Sequence, residues 1–463
     1  MKDKNYPPFG IRDKLGYLFG DFGNDFTFLF SSSFLMKFYT DIIGVSAGVV
    51  GAVMMIARIA DAFTDVAMGR LCDKSPLTEN GKFRPWIKRM CIPVALSSFI
   101  MYIGAVSALP YALRVAYLFV TYILWGSFFY TSVNIPYGSM ASAISPESGD
   151  RQSLSTFRTI GGMLAGAFVT AGVPLIAFRR DETLGIDVID GPRFTLTAAV
   201  FSVLAVICYL LCYFLTTERV RTGSAVKDTK KSNVFTMLKN AAANRALISV
   251  IAASVVMLLA QLTMQQMANY VYPVTYGNAK MISLSTVIML FGMAVAAFLA
   301  KPLAERFGKA EISAAANLFA GIVNLVLFFL RPKSVLVYIG FQAVSWIGLG
   351  VFAMVSWALI TDVIDHSELK NGVREDGSVY ALYSFARKLG QAASSGVSGT
   401  LLTLIGYTPD SVSDKVKEGI FDIATLVPAI GLILLAVILW FWYPLHKKQV
   451  DENIRLLKEK HNY

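Results

Sequence analysis

The sequence predicts an all-α membrane protein of twelve transmembrane helices in two six-helix bundles, and three observations carry that prediction. Hydrophobic residues are 55% of the 463 and charged residues 16%, whereas soluble domains carry about 25% charged residues. Ten windows of nineteen or more residues hold no Asp, Glu, Lys or Arg, and two further apolar stretches are as long but contain charges. A helix needs ~20 apolar residues to cross ~30 Å of hydrocarbon. The longest hydrophilic break between spans, residues 217–245, is rich in Lys, Thr and Ser and falls halfway along the chain. The length alone would suggest about three soluble domains at ~150 residues each, and the composition rejects that together with disorder, collagen and a disulfide-stapled mini-fold. Cys72, Cys91, Cys208 and Cys212 lie in apolar surroundings without metal-ligand spacing, which reads as free, reduced thiols.

In chain order the spans fall at 15–43 and 46–72, the two that carry charges, then at 91–113, 115–146, 159–178 and 194–217. The second set falls at 246–279, 281–300, 312–330, 334–361, 389–409 and 423–445. This divides the chain into an N-terminal bundle (1–216), a central cytoplasmic loop (217–245), a C-terminal bundle (246–445) and a tail (446–463). The first fourteen residues are polar and the apolar stretch after them is too long for a signal-peptide core, so no cleavable leader is expected. An even number of spans puts both termini on one side. With the termini cytoplasmic, the tails and loops of that side hold 28 Lys and Arg and the opposite loops 9, which fixes the orientation by the positive-inside rule. The net charge of +11 therefore reports topology before it reports any nucleic-acid partner. The remaining bases, Lys37, Arg58, Arg158, Arg387 and Lys388, lie inside spans or at their ends.

The loop after span 2 reads Gly69-Arg-Leu-Cys-Asp73-Lys74 and then Gly81-Lys82-Phe-Arg84-Pro85, and the same slot after span 8 reads Glu305-Arg306-Phe307-Gly308-Lys309. The echo suggests two related halves. Such loops either follow from positive-inside topology alone or, as their resemblance to the conserved loop of the major facilitator superfamily implies, act as latches between helix ends, with Asp73, Lys82, Arg84, Arg306 and Lys309 as the gating candidates.

Ionisable side chains at mid-span cost at least ~2.5–3.5 kcal/mol on insertion scales, so they are read as functional by default. Span 1 carries Asp21, Asn24 and Asp25, the two acids sharing one helix face. Span 2 carries Arg58, Asp61 and Asp65 at i, i+3 and i+7, again on one face, with Thr64 beside them. Either Arg58 and one acid form a static salt bridge, or the acids take up a cation. One Arg cannot neutralise two acids, and carboxylates with too few bases in low dielectric require a cation or a proton. Hard oxygen ligands suit Na⁺ or H⁺ and not a soft transition metal. Span 4 ends in Trp125-Gly-Ser-Phe-Phe-Tyr130-Thr131-Ser-Val-Asn134-Ile-Pro136-Tyr137-Gly138, offering oxygens at Thr131 and Asn134. Arg158, Arg387 and Lys388 stand near span ends, where long basic side chains can simply snorkel. Gln261, Gln265 and Asn269 make a polar stripe on span 7 that either glues helices together or lines a wet cavity suited to sugar hydroxyls. Trp357 in span 10 either packs or stacks on a pyranose face.

These residues resemble a family. Gly16-Tyr17-x-x-Gly20-x-Phe22-Gly23-x-Asp25-Phe26, Phe38-Tyr39-Thr40-Asp41, Ala57-Arg58-Ile59-x-Asp61-Ala62-x-x-Asp65 and Gly81-Lys82-Phe83-x-Pro85-Trp86 are similar to motifs of the glycoside–pentoside–hexuronide:cation symporters. So are Thr121 to Gly126, Tyr130-Thr131 and Ile135-Pro136, while the C-terminal half matches more thinly, around Asp362 to Asp365 and Tyr380 to Lys388. The resemblance implies the major facilitator superfamily fold. It makes Asp61 and Asp65 the pair that binds the coupling cation, with Thr64 (Asn in the family's melibiose carriers) and Thr131 beside them. It makes Asp25 the acid that binds sugar hydroxyls, Arg158 the base that orders it, and Lys388 a base facing the central cavity. The second sugar-binding acid is here Asn134, the Trp four residues later is Gly138, and Asn24 replaces a Lys. The span 10 Trp position is close to Ala353, with Trp357 one turn later. Losing a carboxylate while keeping Arg158 and Lys388 points to a pentoside or hexuronide over a galactoside.

The implied function is secondary active transport by alternating access, in which Na⁺ or H⁺ moves inward with a sugar across the cell membrane, by a monomer with no other cofactor. Substrate contacts are expected from Asp25, Asn134, Arg158, Lys388, Trp357 and Gln265. The competing readings are a gradient-independent facilitator and a carrier of another small or lipid-like solute on the same fold. A channel would need a filter motif that the chain lacks. An enzyme is not expected, because His366, His446 and His461 lie in a loop and the tail.

Overall fold

The computed structural model describes residues 7–220, 244–371, 376–409 and 412–461. Each sixfold set of apolar stretches becomes six helical segments. The first set is α1 (Ile11–Phe38), α2 (Ala47–Lys74), α3 (Arg84–Ile100), a continuous run of α4 (Tyr111–Ile123), a π-helical stretch (Leu124–Tyr130) and α5 (Thr131–Ile144), then α6 (Ser148–Ala177) and α7 (Gly191–Leu215). The second set is α8 (Arg245–Tyr270), α9 (Lys280–Phe307), α10 (Lys309–Leu330), α11 (Val335–Asn371), α12 (Asp376–Leu404) and α13 (Asp414–Val437), followed by the tail helix α14 (Lys447–His461). Among the described residues nine of these segments are long and apolar enough to cross a membrane. The other three are α1, which contains Asp13, Asp21, Asp25 and Lys37, α3, with 17 residues, and α12, which carries Arg387 and Lys388.

One departure from an all-helical chain is a small antiparallel hairpin between α6 and α7, β1 (Phe178–Asp181) and β2 (Ile186–Ile189), with Phe178 opposite Ile189. The Asp181 carboxylate accepts from the Thr183 and Leu184 amides and so folds the connecting turn. Four-residue strands leave too short an alternation to separate them from loop in the sequence.

The chain forms two compact units: Met1–Ala225 with Gly277–Ser283 and Gly406–Val412, and Val226–Tyr276 with Leu284–Ile405 and Ser413–Tyr463. Inside the first, α1 packs on α6 and α7, and α3 on α7. Inside the second, α8 packs on α12 and α13, and α10 on α13. Counted within each half, the pairs are first–fifth, first–sixth and third–sixth in both, so the weak sequence echo corresponds to a repeated packing scheme. Helices in lipid approach closely through small residues. Gly16, Gly20 and Gly23 form such a stripe on α1, against Leu215, Tyr137 and Tyr209. In the other half, Gly390 meets Val255 and Gly431 meets Ala260.

The repeat extends to the turns. Gly81 has φ 103° and Gly308 φ 102°, a left-handed region that glycine enters without steric cost. Each meets a carboxylate that ties down the segment after the half's last helix. Glu218, just beyond α7, accepts from the backbone amides of Lys82, Phe83 and Arg84 at 2.7, 2.9 and 2.6 Å. Glu311 accepts from the Lys447 amide at 2.8 Å. A carboxylate at the start of α3 also meets the positive end of the helix dipole.

Candidate functional site

Asp61 lies midway along α2, with Arg58 one turn before it and Asp65 one turn after. The Arg58 guanidinium sits 4.6 Å from the centre of the Phe28 ring, with Tyr122 and Trp125 at 5.9 and 6.0 Å. It donates to Asp61 Oδ2 at 3.3 Å. Arginine stays charged and tolerates such aromatic cages, so one oxygen of one acid has a fixed basic neighbour.

The facing segment is the π-helical stretch Leu124–Tyr130. It is one of four π-helical stretches among the described residues, with Tyr39–Ile43, Val271–Thr275 and Ile438–Trp442. From it the Ser127 hydroxyl donates to Asp61 Oδ1 at 2.5 Å. Thr131, at the first α-helical position beyond, lies 2.9 Å from Asp65 Oδ1 and 3.1 Å from the Gly126 carbonyl. Asp61, Ser127 and Thr131 are 6%, 4% and 2% exposed, and Asp65 and Thr64 are half-buried. Thr64 turns its hydroxyl onto the Asp61 carbonyl, at 3.2 Å. A Cβ at Gly126 would lie 3.4 Å from both Asp61 carboxylate oxygens, so the absence of a side chain there keeps the carboxylate against open backbone. Of the expected set, the side chains of Asp65 and Thr131 meet directly, while the Thr64 hydroxyl is turned to backbone. Ser127 joins Asp61 through a helical register that residue types do not reveal.

On α1, Asp21 and Asp25 converge on Gly162 of α6, where a Cβ would meet both carboxylates at 2.8 Å. Arg158, which the resemblance makes the base that orders Asp25, bonds Asp21 Oδ1 through its Nε at 3.1 Å. The reason is the level at which the helices meet. Gly161 faces Leu18 and Gly162 faces the two acids, so a residue one turn earlier on α6 stands beside Asp21. Among the described residues Asp25 makes no hydrogen bond or ion pair. Arg158 also lies 5.2 Å from the centre of the Tyr137 ring and remains 40% exposed at its side chain. Tyr17 and Tyr137 stack at 4.5 Å and exchange hydroxyl-to-carbonyl bonds of 3.2 and 2.7 Å, fixing α1 to α5. Asn134 is half-buried one turn before Gly138, whose missing Cβ would stand 4.0 Å from Arg158 Nη1. Asn24 is buried and accepts from Tyr209 at 3.0 Å, pointing into α7 packing.

The remaining candidates lie in the second unit. Trp357 meets Tyr383 edge-on at 4.9 Å, and Arg387 lies over both rings at 5.9 and 5.7 Å. Lys388 and Gln265 are half-buried on α12 and α8. The polar stripe of span 7 divides: Asn269 is buried, while Gln261 and Gln265 occupy the half-buried side; the neighbouring Gln266 is buried and donates to Ser395 at 3.4 Å, which is helix glue.

Of the loop candidates, Arg84 and Lys309 reach a neighbouring helix through their side chains. Arg84 donates to the Tyr213 carbonyl at 3.1 and 2.6 Å, and the Lys82 amide is held by Glu218. The side chain of Asp73 lies outside the described residues. Lys309 binds Asp362 at 2.6 Å, whereas Arg306 is exposed and stacks over its neighbour Phe307 at 5.1 Å.

A family described as MFS/sugar transport protein matches residues 16–447. Relatives include the uncharacterized symporter YjmB of Bacillus subtilis, 30% identical over 97% of this chain and 96% of its own length. The glucuronide carrier protein homolog of Escherichia coli is 28% identical over 96% and 94%. Among solved structures, a D-xylose-proton symporter superposes with a TM-score of 0.63 at 17% identity, covering 94% of this chain and 97% of that one. The relatives are membrane transporters, none an enzyme, and the fold and the family match agree over nearly the full chain. This chain therefore belongs to the MFS/sugar transport protein family, as a multi-pass symporter-type carrier of small molecules.

Proposed function

We propose that the protein couples inward movement of Na⁺ or H⁺ to uptake of a sugar by alternating access. The observation that carries this reading is the pair Asp61 and Asp65 at the middle of a membrane span, each accepting a hydroxyl from the facing segment. The cation is bound by Asp61 and Asp65 with Thr64 and Thr131. Neutralising the pair lets the neighbouring sugar contacts order, and by linkage each ligand raises the other's affinity equally. Asp25, Asn134 and Arg158 contact the sugar. A pentoside or hexuronide is favoured by the partly exposed Arg158 side chain beside Gly138, and by the relative named a glucuronide carrier homolog. The protein acts in the cell membrane with both termini cytoplasmic, as the charge asymmetry of its loops requires.

Proteoliposome uptake across imposed Na⁺ and H⁺ gradients tests the coupling, with glucuronides, xylosides and galactosides as cargo. Asp61→Asn and Asp65→Asn are expected to abolish gradient-driven accumulation while leaving downhill exchange. The Arg58–Asp61 ion pair favours a second reading, a gradient-independent facilitator with a static charge network. In that case both variants accumulate no less than the parent, and neither gradient drives uptake.

A further inference from the structure

We infer that Ser127 is a ligand of the coupling cation, and that the site it completes is built for an alkali-metal ion. The inference rests on the assignment of Asp61 and Asp65 as the cation pair. The carboxylate of Asp61 has both oxygens engaged: Oδ2 by Arg58 at 3.3 Å and Oδ1 by Ser127 at 2.5 Å. An arriving cation takes one of the carboxylate's remaining lone-pair positions, and of the two neighbours only the hydroxyl can join it as a ligand. A guanidinium carries donors alone and repels a second positive charge. A serine hydroxyl is both donor and acceptor. Rotation about its Cβ–Oγ bond takes the proton off Asp61 and presents a lone pair.

The Ser127 proton thus occupies the position of positive charge beside Asp61 until the ion arrives, and the oxygen then becomes a ligand. Thr131 can do the same for Asp65, from which it lies 2.9 Å. The two hydroxyls are four residues apart across the junction of the π-helical stretch and α5. Together with the two carboxylates they make a hard-oxygen set, the chemistry that selects alkali and alkaline-earth ions. Gly126 completes the arrangement, since no side chain fills the space next to Asp61. Arg58 already supplies one positive charge, which leaves the set fitted to a monovalent ion and not a divalent one.

The test is direct binding of Na⁺ and Li⁺ to the purified full-length protein by titration calorimetry in detergent at fixed pH, for the parent and for Ser127→Ala, Ser127→Thr and Asp61→Asn. Ser127→Ala removes one ligand and is expected to weaken Na⁺ binding about tenfold, the worth of ~1.4 kcal/mol. Ser127→Thr keeps the hydroxyl and is expected to bind within about threefold of the parent, with an altered ratio of Li⁺ to Na⁺ affinity because the added methyl crowds the site. Recovery by Thr separates a ligand from a merely structural residue. If Ser127→Ala binds Na⁺ as the parent does while Asp61→Asn does not, the assignment of Ser127 is overturned and the cation pair stands. If Asp61→Asn also binds normally, or the parent binds neither ion, the alkali-ion site itself is overturned and Ser127 with it.

Discussion

Asp25 and Asp21 stand one turn apart on α1, and Arg158 makes its direct ion pair with Asp21. A half-buried carboxylate that accepts no hydrogen bond among the described residues, near a partly exposed guanidinium, is a strong acceptor for hydroxyl groups. Asp25→Asn is therefore expected to lower sugar affinity about tenfold to a hundredfold, the range of ~1.5–3 kcal/mol for hydrogen bonds to a charged group. Na⁺ binding should stay within about threefold, because Asp61 and Asp65 keep their own hydroxyls. Equilibrium binding of a substrate glycoside and of Na⁺ to the same preparation checks both halves of that statement. The i, i+4 spacing that puts both acids on one face is written in the sequence. Which acid the base takes is decided by the close α1–α6 contact at Gly161 and Gly162, and no residue type reports the level at which two helices meet.

At the scale of elements, α1 works as a hub whose glycine stripe lets two bulky partners come near. A Cβ at Gly20 would collide with the Tyr137 ring and approach Cys212 Sγ to 2.9 Å. Gly20→Val is expected to destabilise the fold by ~1–3 kcal/mol through overpacking, read as a lowered thermal-unfolding midpoint in detergent. Tyr137 also exchanges hydrogen bonds with Tyr17 and underlies Arg158, so sugar affinity should fall along with stability. The π-helical stretch is the other element of consequence. Its residues, Leu124-Trp-Gly-Ser-Phe-Phe-Tyr130, are ordinary members of an apolar span, and a hydrophobic pattern near 3.6 residues per turn cannot flag one wider turn. Hence the motif marks Thr131 as a candidate oxygen ligand, whereas nothing in it marks Ser127. Glu218 was hidden for a related reason: within a hydrophilic break it reads as one charge among many, and its grip on three amides at the start of α3 requires two distant segments to be neighbours.

For the whole molecule, the two units repeat the same internal helix pairings and the same glycine-and-carboxylate turn. Orientation in the bilayer is open to a simple test, because all four native cysteines are buried and give a quiet background. Thr183→Cys, on the exposed hairpin turn, is expected to react with a membrane-impermeant maleimide on intact cells. Lys448→Cys, exposed in the tail helix, is expected to react only after permeabilisation; the reverse pattern would invert the topology. Sequence alone determined the number of spans, their division into halves, the side favoured by Lys and Arg, and the presence of acids where hydrocarbon should be, because each depends on composition over tens of residues or on spacing along one helix. Tertiary structure alone decided that Ser127 reaches Asp61, that Arg158 pairs directly with Asp21, and that Glu218 and Glu311 fasten the ends of the halves. Those facts depend on how separate helices are rotated and levelled against one another, and packing, not local sequence, sets both.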